Sequence, residues 1–400
     1  QNKYFFIAVI AIAGGMMTKG PIALVVPILC FVPEWICKKE WSYFFKPIYL
    51  LVLLLLACLL FPMSWGLYQQ YDLHPGKLIN NIPIQSGLKF YYWTQSFGRY
   101  TGENYYHEMS YPTFLLENML WSFLPWIFIF LWAFIAKIIT IAKEGLFKVH
   151  VERISFFGFL LTYLVLSRSQ AQLPHYIFVV FPLAAILTAA HLASLLEKSD
   201  RLSKGVKWFY GFHLFIFFIL LIAMVLIVKI PFGIMDGPWG LWIFFGTFIM
   251  MVKIVSTHQS LIQKWITMSL VLMIGLNLIM NSYFYPNLLK FQWGNELAKE
   301  AKAKHWDIKK AALYKMPNSN AFHFYGQHIF PVIKDSSLLK EGQWIVVEAL
   351  PSKQVLLDFP NSKILYQGNR FHVTLLTLTF LNPATRASEL TPYVLMELKK

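Results

Sequence analysis

Charge is scarce in this 400-residue chain: Asp, Glu, Lys and Arg make up 14% of it, and only 20 residues are acidic. A soluble domain needs more polar surface than that, whereas 57% hydrophobic and 18% aromatic residues suit a chain solvated by lipid. Cysteine is scarcer still. Cys30, Cys37 and Cys58 lie in or beside apolar runs without a CxxC pair or a neighbouring histidine, which excludes a zinc ribbon or disulfide framework and reads as three ordinary buried thiols. No Asn-x-Ser/Thr sequon, internal repeat or low-complexity segment is visible. The chain starts at Gln1, and the apolar run from Tyr4 lacks the basic region and cleavage site of a signal peptide, so it is expected to start inside a longer protein.

What is abundant is the long apolar run. Nine runs are long enough, or nearly so, to span a bilayer: Tyr4–Met17, Ile22–Cys37, Phe45–Phe61, Phe114–Ala136, Ile154–Leu166, Tyr176–Leu196, Trp208–Lys229, Trp239–Val255 and Trp265–Phe284. The net charge of +15 does not call for nucleic acid, because the basic residues sit in short loops between these runs. With Lys3 on the cytoplasmic side, fourteen Lys and Arg of the membrane segment fall on that side and six on the other, a positive-inside bias. The expected architecture is a polytopic α-helical membrane domain over residues 1–285, followed by a small extracytoplasmic α/β domain over 286–400. In the latter, "AALYKM", "QWIVVEAL", "SKILYQG" and "FHVTLLTLTFL" read as strands. Residues 76–98 read as a helix lying in the membrane interface, broken near Pro83, with Tyr91, Tyr92 and Trp93 at headgroup depth; it suits a headgroup guide, a lid or a packing strut equally.

Three polar islands interrupt the apolar sequence, and this topology sends all three to the outer face: "TKGP" at 18–21, "QSFGRYTGENYYHEMSYP" at 95–112 and "SRSQAQLPHY" at 167–176. Lys19, Arg99 and Arg168 each read either as snorkelling interface cations or as phosphate contacts. His175 and Tyr176 either begin a helix after Pro174 or place donors beside a bound headgroup. Glu103, His107 and Glu108 suit a divalent metal or ordinary loop contacts, and their spacing does not decide. His323 and His328 are five residues apart, which puts them on one face of neither a helix nor a strand, and they receive no chemistry.

Together, "GGMMTKGPIALVVPIL", "FGRYTGENYYHEMSYPTFLLENMLWSFLPW" and "SRSQAQLPHYIFVVFPLAAIL" resemble successive landmarks of the bacterial lipid-dependent glycosyltransferases of the protein O-mannosyltransferase and aminoarabinose transferase superfamily. The resemblance implies a GT-C fold with an active site on the outer face of the bacterial inner membrane and the terminal domain in the periplasm. It also implies a polyprenyl-phosphate-linked sugar as donor and a lipid, glycan or protein as acceptor, in an inverting reaction for which no cofactor is certain. Lys19 would then contact the donor phosphate and Tyr176 would line that site. Two departures stand out. The family's general-base aspartate is expected upstream of residue 1, since neither Asp72 nor Asp236 has its surroundings, and Gln172 stands where relatives often carry a lysine. A transporter or flippase for a lipid-linked substrate is the alternative; charges gathered at helix ends, without repeated halves, favour the enzyme.

Overall fold

The computed structural model describes the chain except residues 1, 77, 80–81, 84–85, 104–110, 148–152, 171, 198–201 and 234–238. It divides into two compact units, Gln1–Leu202 and Ser203–Lys400. The first is helical: α1 (Asn2–Lys19), α2 (Ile22–Lys38), α3 (Ile48–Leu67), α4 (Phe114–Ser122), α5 (Ile127–Glu144), α6 (Ile154–Ser167) and α7 (Phe181–Leu196). The second opens with α8 (Lys204–Lys229), α9 (Trp239–Val255) and α10 (Leu261–Ile279) and closes with a five-stranded sheet. The protein is thus a polytopic membrane protein with a small C-terminal α/β element. By length and composition, four described helical stretches can cross a bilayer: Ile48–Asp72, Pro174–Leu196, Lys204–Lys229 and Leu261–Leu289. Ile154–Ser167 and Trp239–Val255 are apolar but shorter.

The fourth expected run is two helices rather than one. α4 stops at Ser122 and α5 starts at Ile127, because Pro125 has no N–H to give and its ring crowds the preceding turn. Leu115, Met119, Phe130, Phe156, Phe159, Ile177 and Ala184 form the buried core around this break. Helices α2 and α6 cross closely: a Cβ added at Gly158 would overlap the Cys30 sulfur. At one end of this pair Arg153, the residue before α6, donates from Nε to Glu34 of α2 at 2.9 Å, and Lys38 reaches the same carboxylate at 2.9 Å. Cys30 and Cys37 are buried as expected, but Cys58 is exposed on α3, whose surface needs no polar cover in lipid.

The interfacial segment departs from its expected helix. Leu78–Ile79 and Ile82–Pro83 pair antiparallel as β1 and β2, and helix begins only at Gly87. Asp72 fixes that start: its carboxylate accepts the Gly87 and Leu88 N–H groups at 2.9 and 3.3 Å, while Ser86 accepts from Lys89 N–H. The charged cap thus comes from a residue distant in sequence.

In the second unit the sheet is β3 (Ala311–Tyr314), β4 (Val332–Ile333), β5 (Trp344–Glu348), β6 (Lys363–Arg370) and β7 (Thr391–Glu397), in the order β4-β3-β5-β7-β6. Strands β3, β4 and β5 run parallel; β7 lies antiparallel between β5 and β6. Both faces are covered. Val346 and Leu395 pack with Leu297 and Phe322 on one side, and Ile345, Val347, Val394 and Met396 pack with Val355 on the other. "FHVTLLTLTFL" is not a strand but a turn followed by the short helix Leu378–Leu381, whose Thr377 hydroxyl accepts from Phe380 N–H.

Arg386 ties the segment after that turn to the end of α8. Its guanidinium lies 5.1, 5.5 and 5.2 Å from the rings of Phe232, Phe291 and Phe380, and it donates to the carbonyls of Phe380 and Pro231. Arg386→Ala is expected to cost about 2–3 kcal/mol through lost cation–π contacts and two orphaned acceptors. Arg386→Lys should recover only part, lacking the planar fork. Unfolding of the purified variants in detergent, followed by temperature, checks both.

Candidate functional site

The site is built where α1 turns into α2. Gly20 makes the reversal with φ +74°, a conformation costly for any residue with a Cβ, and a Cβ there would also sit 3.2 Å from Ser96 Oγ. The turn is held from above: the Tyr91 hydroxyl lies 2.6 and 2.7 Å from the Met16 and Met17 carbonyls. Both lie among the last four carbonyls of α1; the Met16 carbonyl also accepts the Gly20 N–H at 2.8 Å, so the hydroxyl braces the helix end and the turn together. Tyr92 and Ser64 join their hydroxyls at 2.7 Å, fastening the same segment to α3. The segment then presents Arg99, whose Nε donates to the Gln95 carbonyl at 2.7 Å.

The third wall is the turn after α6. Gln172, only 2% exposed, donates from its amide to the Ser167 and Ser169 carbonyls at 2.8 and 3.3 Å, shaping the approach to Pro174 and the 3₁₀ stretch Pro174–Val180. Tyr100 donates to the Val165 carbonyl at 2.8 Å, and Gln170 N–H donates to the Arg99 carbonyl at 3.3 Å. All three polar islands therefore meet, in their described parts, around one cavity.

That cavity has a volume of about 210 Å³. Ile22, Val25, Val165, Leu166 and Val179 make it apolar, while Lys19, Arg99, His175 and Tyr176 furnish its polar groups. Lys19 Nζ donates to His175 Nε2 at 3.2 Å, a geometry that requires an unprotonated Nε2. Arg99 Nη1 donates to the Tyr176 hydroxyl at 2.7 Å. Both cations also lie over the same ring, at 5.3 Å for Lys19 and 5.2 Å for Arg99. Two positive charges thus share one aromatic ring, and the first turn of α2 adds the partial positive charge of a helix N-terminus. None of the described lining residues is a carboxylate. The arrangement is made to receive an anion whose remaining body is apolar.

Four of the expected residues, Lys19, Arg99, His175 and Tyr176, come together. Arg168 does not: it ends α6, is exposed, and is absent from the cavity lining. Glu103 lies in a separate network. It accepts from Trp93 Nε1 at 3.3 Å and meets Lys89 at 3.6 Å; the Trp93 hydrogen bond first, then the Lys89 charge, holds its carboxyl below the usual range. His107 and Glu108 lie outside the described residues. Among the described residues no three His, Cys, Asp or Glu side chains gather as metal ligands. His323 instead braces a turn, accepting Phe330 N–H at Nδ1 over 3.0 Å. Sequence reasoning missed Ser96, Tyr100 and Ser169 as lining residues and Tyr91 as the clamp. Only the position of the first two and of Tyr91 near Arg99, and of Ser169 in the third island, pointed to them.

No family model matches the chain. It is 23% identical to the undecaprenyl phosphate-alpha-4-amino-4-deoxy-L-arabinose arabinosyl transferase of Edwardsiella ictaluri, over 58% of this chain and 41% of that protein. In three dimensions it is similar to ArnT from Cupriavidus metallidurans bound to undecaprenyl phosphate, with a TM-score of 0.62 over 96% of this chain and 67% of that one, at 14% identity. The chain has the ArnT fold. Against ArnT in the apo state the TM-score is 0.59, at 13% identity, over 96% of this chain and 66% of that one. The ArnT-like chain therefore spans 41% of the length of its curated relative and about two thirds of the solved structures. The expected GT-C architecture holds across nearly all of its residues.

Proposed function

We propose that the cavity binds the phosphate of a polyprenyl-phosphate-linked sugar, and that the chain serves a membrane glycosyltransferase passing that sugar to a lipid, glycan or protein. The reaction would run at the outer face of a bacterial inner membrane, with the sheet on the periplasmic side. The observation that carries this reading is the convergence of Lys19 and Arg99 on Tyr176 at an apolar-walled cavity. The relative's name specifies an undecaprenyl-phosphate-linked aminoarabinose, and one solved ArnT holds undecaprenyl phosphate, which supports the same donor class here.

The chemistry follows from charge. Cleaving a sugar from polyprenyl phosphate turns a diester into a monoester, so negative charge grows on the leaving phosphate as the bond breaks. Cations already in place beside an apolar wall stabilise that growing charge with little reorganisation. The aliphatic wall matches the first isoprene units. Activating the acceptor hydroxyl in an inverting displacement needs a base, and the described lining offers no carboxylate for it. The cavity thus supplies the donor half of the reaction.

Binding of undecaprenyl phosphate to the purified protein in nanodiscs tests the reading. Lys19→Ala is expected to weaken it by roughly 10- to 150-fold, the equivalent of about 1.5–3 kcal/mol for a charge-assisted hydrogen bond. Equal binding by parent and variant would return Lys19 to the role of an interface anchor.

A further inference from the structure

Between Arg370 and Arg386 the chain carries no Asp, Glu, Lys or Arg. Within this stretch Leu375, Leu376 and Leu378 are 64%, 41% and 85% exposed, close together on one turn. The turn is ordered by its own hydrogen bonds. Leu375 N–H donates to the His372 carbonyl at 2.8 Å, and Leu381 N–H to the Thr377 carbonyl at 3.1 Å. Phe380 N–H donates to Thr377 Oγ1 at 3.1 Å. The N–H groups of Leu375, Phe380 and Leu381 are thus satisfied inside the turn, which lowers the cost of bringing it against an apolar medium.

Its stem is pinned where two membrane spans end. Phe371 N–H donates to the Phe291 carbonyl at 3.0 Å, and Phe371 and Phe380 stack at 3.8 Å. Phe380 meets Phe291 at 5.1 Å, and Phe291 meets Phe232 at 6.3 Å. Phe291 follows closely on Leu289, the end of the span Leu261–Leu289, and Phe232 on Lys229, the end of Lys204–Lys229. The leucines lie two to four residues from Phe371 or Phe380, a reach of at most about 14 Å. They are thus held within that distance of the residues that follow the two span ends.

We propose that residues 372–378 form a lipid-surface anchor, with Leu375, Leu376 and Leu378 inserted into the bilayer interface and the sheet of this unit held against the membrane. The exposed leucines of Ala349–Asp358, Leu350 and Leu357, lack such a tie to a span end and carry no comparable assignment. The anchor is independent of the donor-site reading.

The test uses the full chain with Cys58→Ser, which removes the exposed native thiol and leaves Cys30 and Cys37 buried. Leu376→Cys and Leu378→Cys, in separate proteins, each carry an environment-sensitive fluorophore in vesicles of phosphatidylethanolamine and phosphatidylglycerol. The expected result at both positions is blue-shifted emission, quenched by a nitroxide on the upper acyl chain and protected from aqueous iodide. Quenching by iodide without quenching by nitroxide lipid would overturn the proposal. So would protection from both, which would mean that protein covers the leucines instead. Two labelled positions keep the result readable if one substitution prevents folding.

Discussion

Lys19→Ala combined with Arg99→Ala is expected to weaken undecaprenyl phosphate binding by roughly 100- to 10,000-fold, taking about 1.5–3 kcal/mol for each charge-assisted contact. The two losses should not simply add. Both cations lie over the Tyr176 ring, and Arg99 also donates to its hydroxyl, so removing one changes the setting of the other. Binding by the parent, the two single variants and the double variant measures this coupling. Arg99→Lys separates charge from shape: it keeps a cation but loses the fork that reaches the Gln95 carbonyl and Tyr176 together. Its affinity should fall between those of the parent and Arg99→Ala. A double variant that binds as the parent does would remove the cavity from donor recognition altogether.

Arg153→Ala is expected to destabilise the first unit by about 3–5 kcal/mol, because it strips a buried carboxylate of its closest enclosed partner. Glu34 and Arg153 are both buried, while Lys38, the other cation on Glu34, is half-exposed and a weaker substitute. Arg153 also donates to the Leu146 carbonyl at 3.1 Å, so that acceptor is left open as well. Removing both charges with Glu34→Leu and Arg153→Met should recover much of the loss, since a well-packed apolar pair does not carry the desolvation cost of two ions. Thermal unfolding of the parent, Arg153→Ala and the double variant in one detergent provides the comparison. If Arg153→Ala melts with the parent, the pair contributes little.

The legible parts of the sequence were those that a local pattern determines. Apolar runs longer than a soluble helix requires announced the membrane helices, and "AALYKM", "QWIVVEAL" and "SKILYQG" announced β3, β5 and β6. Lys19, Arg99, His175 and Tyr176 could be named in advance because charge among apolar residues is costly and needs a reason. Failures came where distant residues decide. The helix expected over 76–98 depends for its start on Asp72, and Leu78–Ile79 and Ile82–Pro83 in its first part pair as strands instead. "FHVTLLTLTFL" has the alternation of a strand, but Leu375, Leu376 and Leu378 are exposed and Thr377 caps a short helix within it. Strand β7 was overlooked although "TPYVLME" is β-rich; its proline and its place after a turn-forming stretch hid a strand that is buried on both faces. Arg168 resembled its neighbours in composition, yet the end of α6 turns it away from the cavity.

The position of β7 between β5 and β6 also imposes an order on biosynthesis. β5 and β6 leave the ribosome first but have no hydrogen bonds to each other, because β7 separates them. Until residue 397 has been added, the facing edges of both strands stay open, and the buried faces of Ile345, Val346 and Val347 lack the partners that Val394, Leu395 and Met396 provide. The sheet must therefore close after β7 is translated, in a single late pairing that joins two waiting strands. Translation stalled or terminated before Thr391 would leave inserted helices attached to a sheet with two unsatisfied edges, a state prone to pair with another chain.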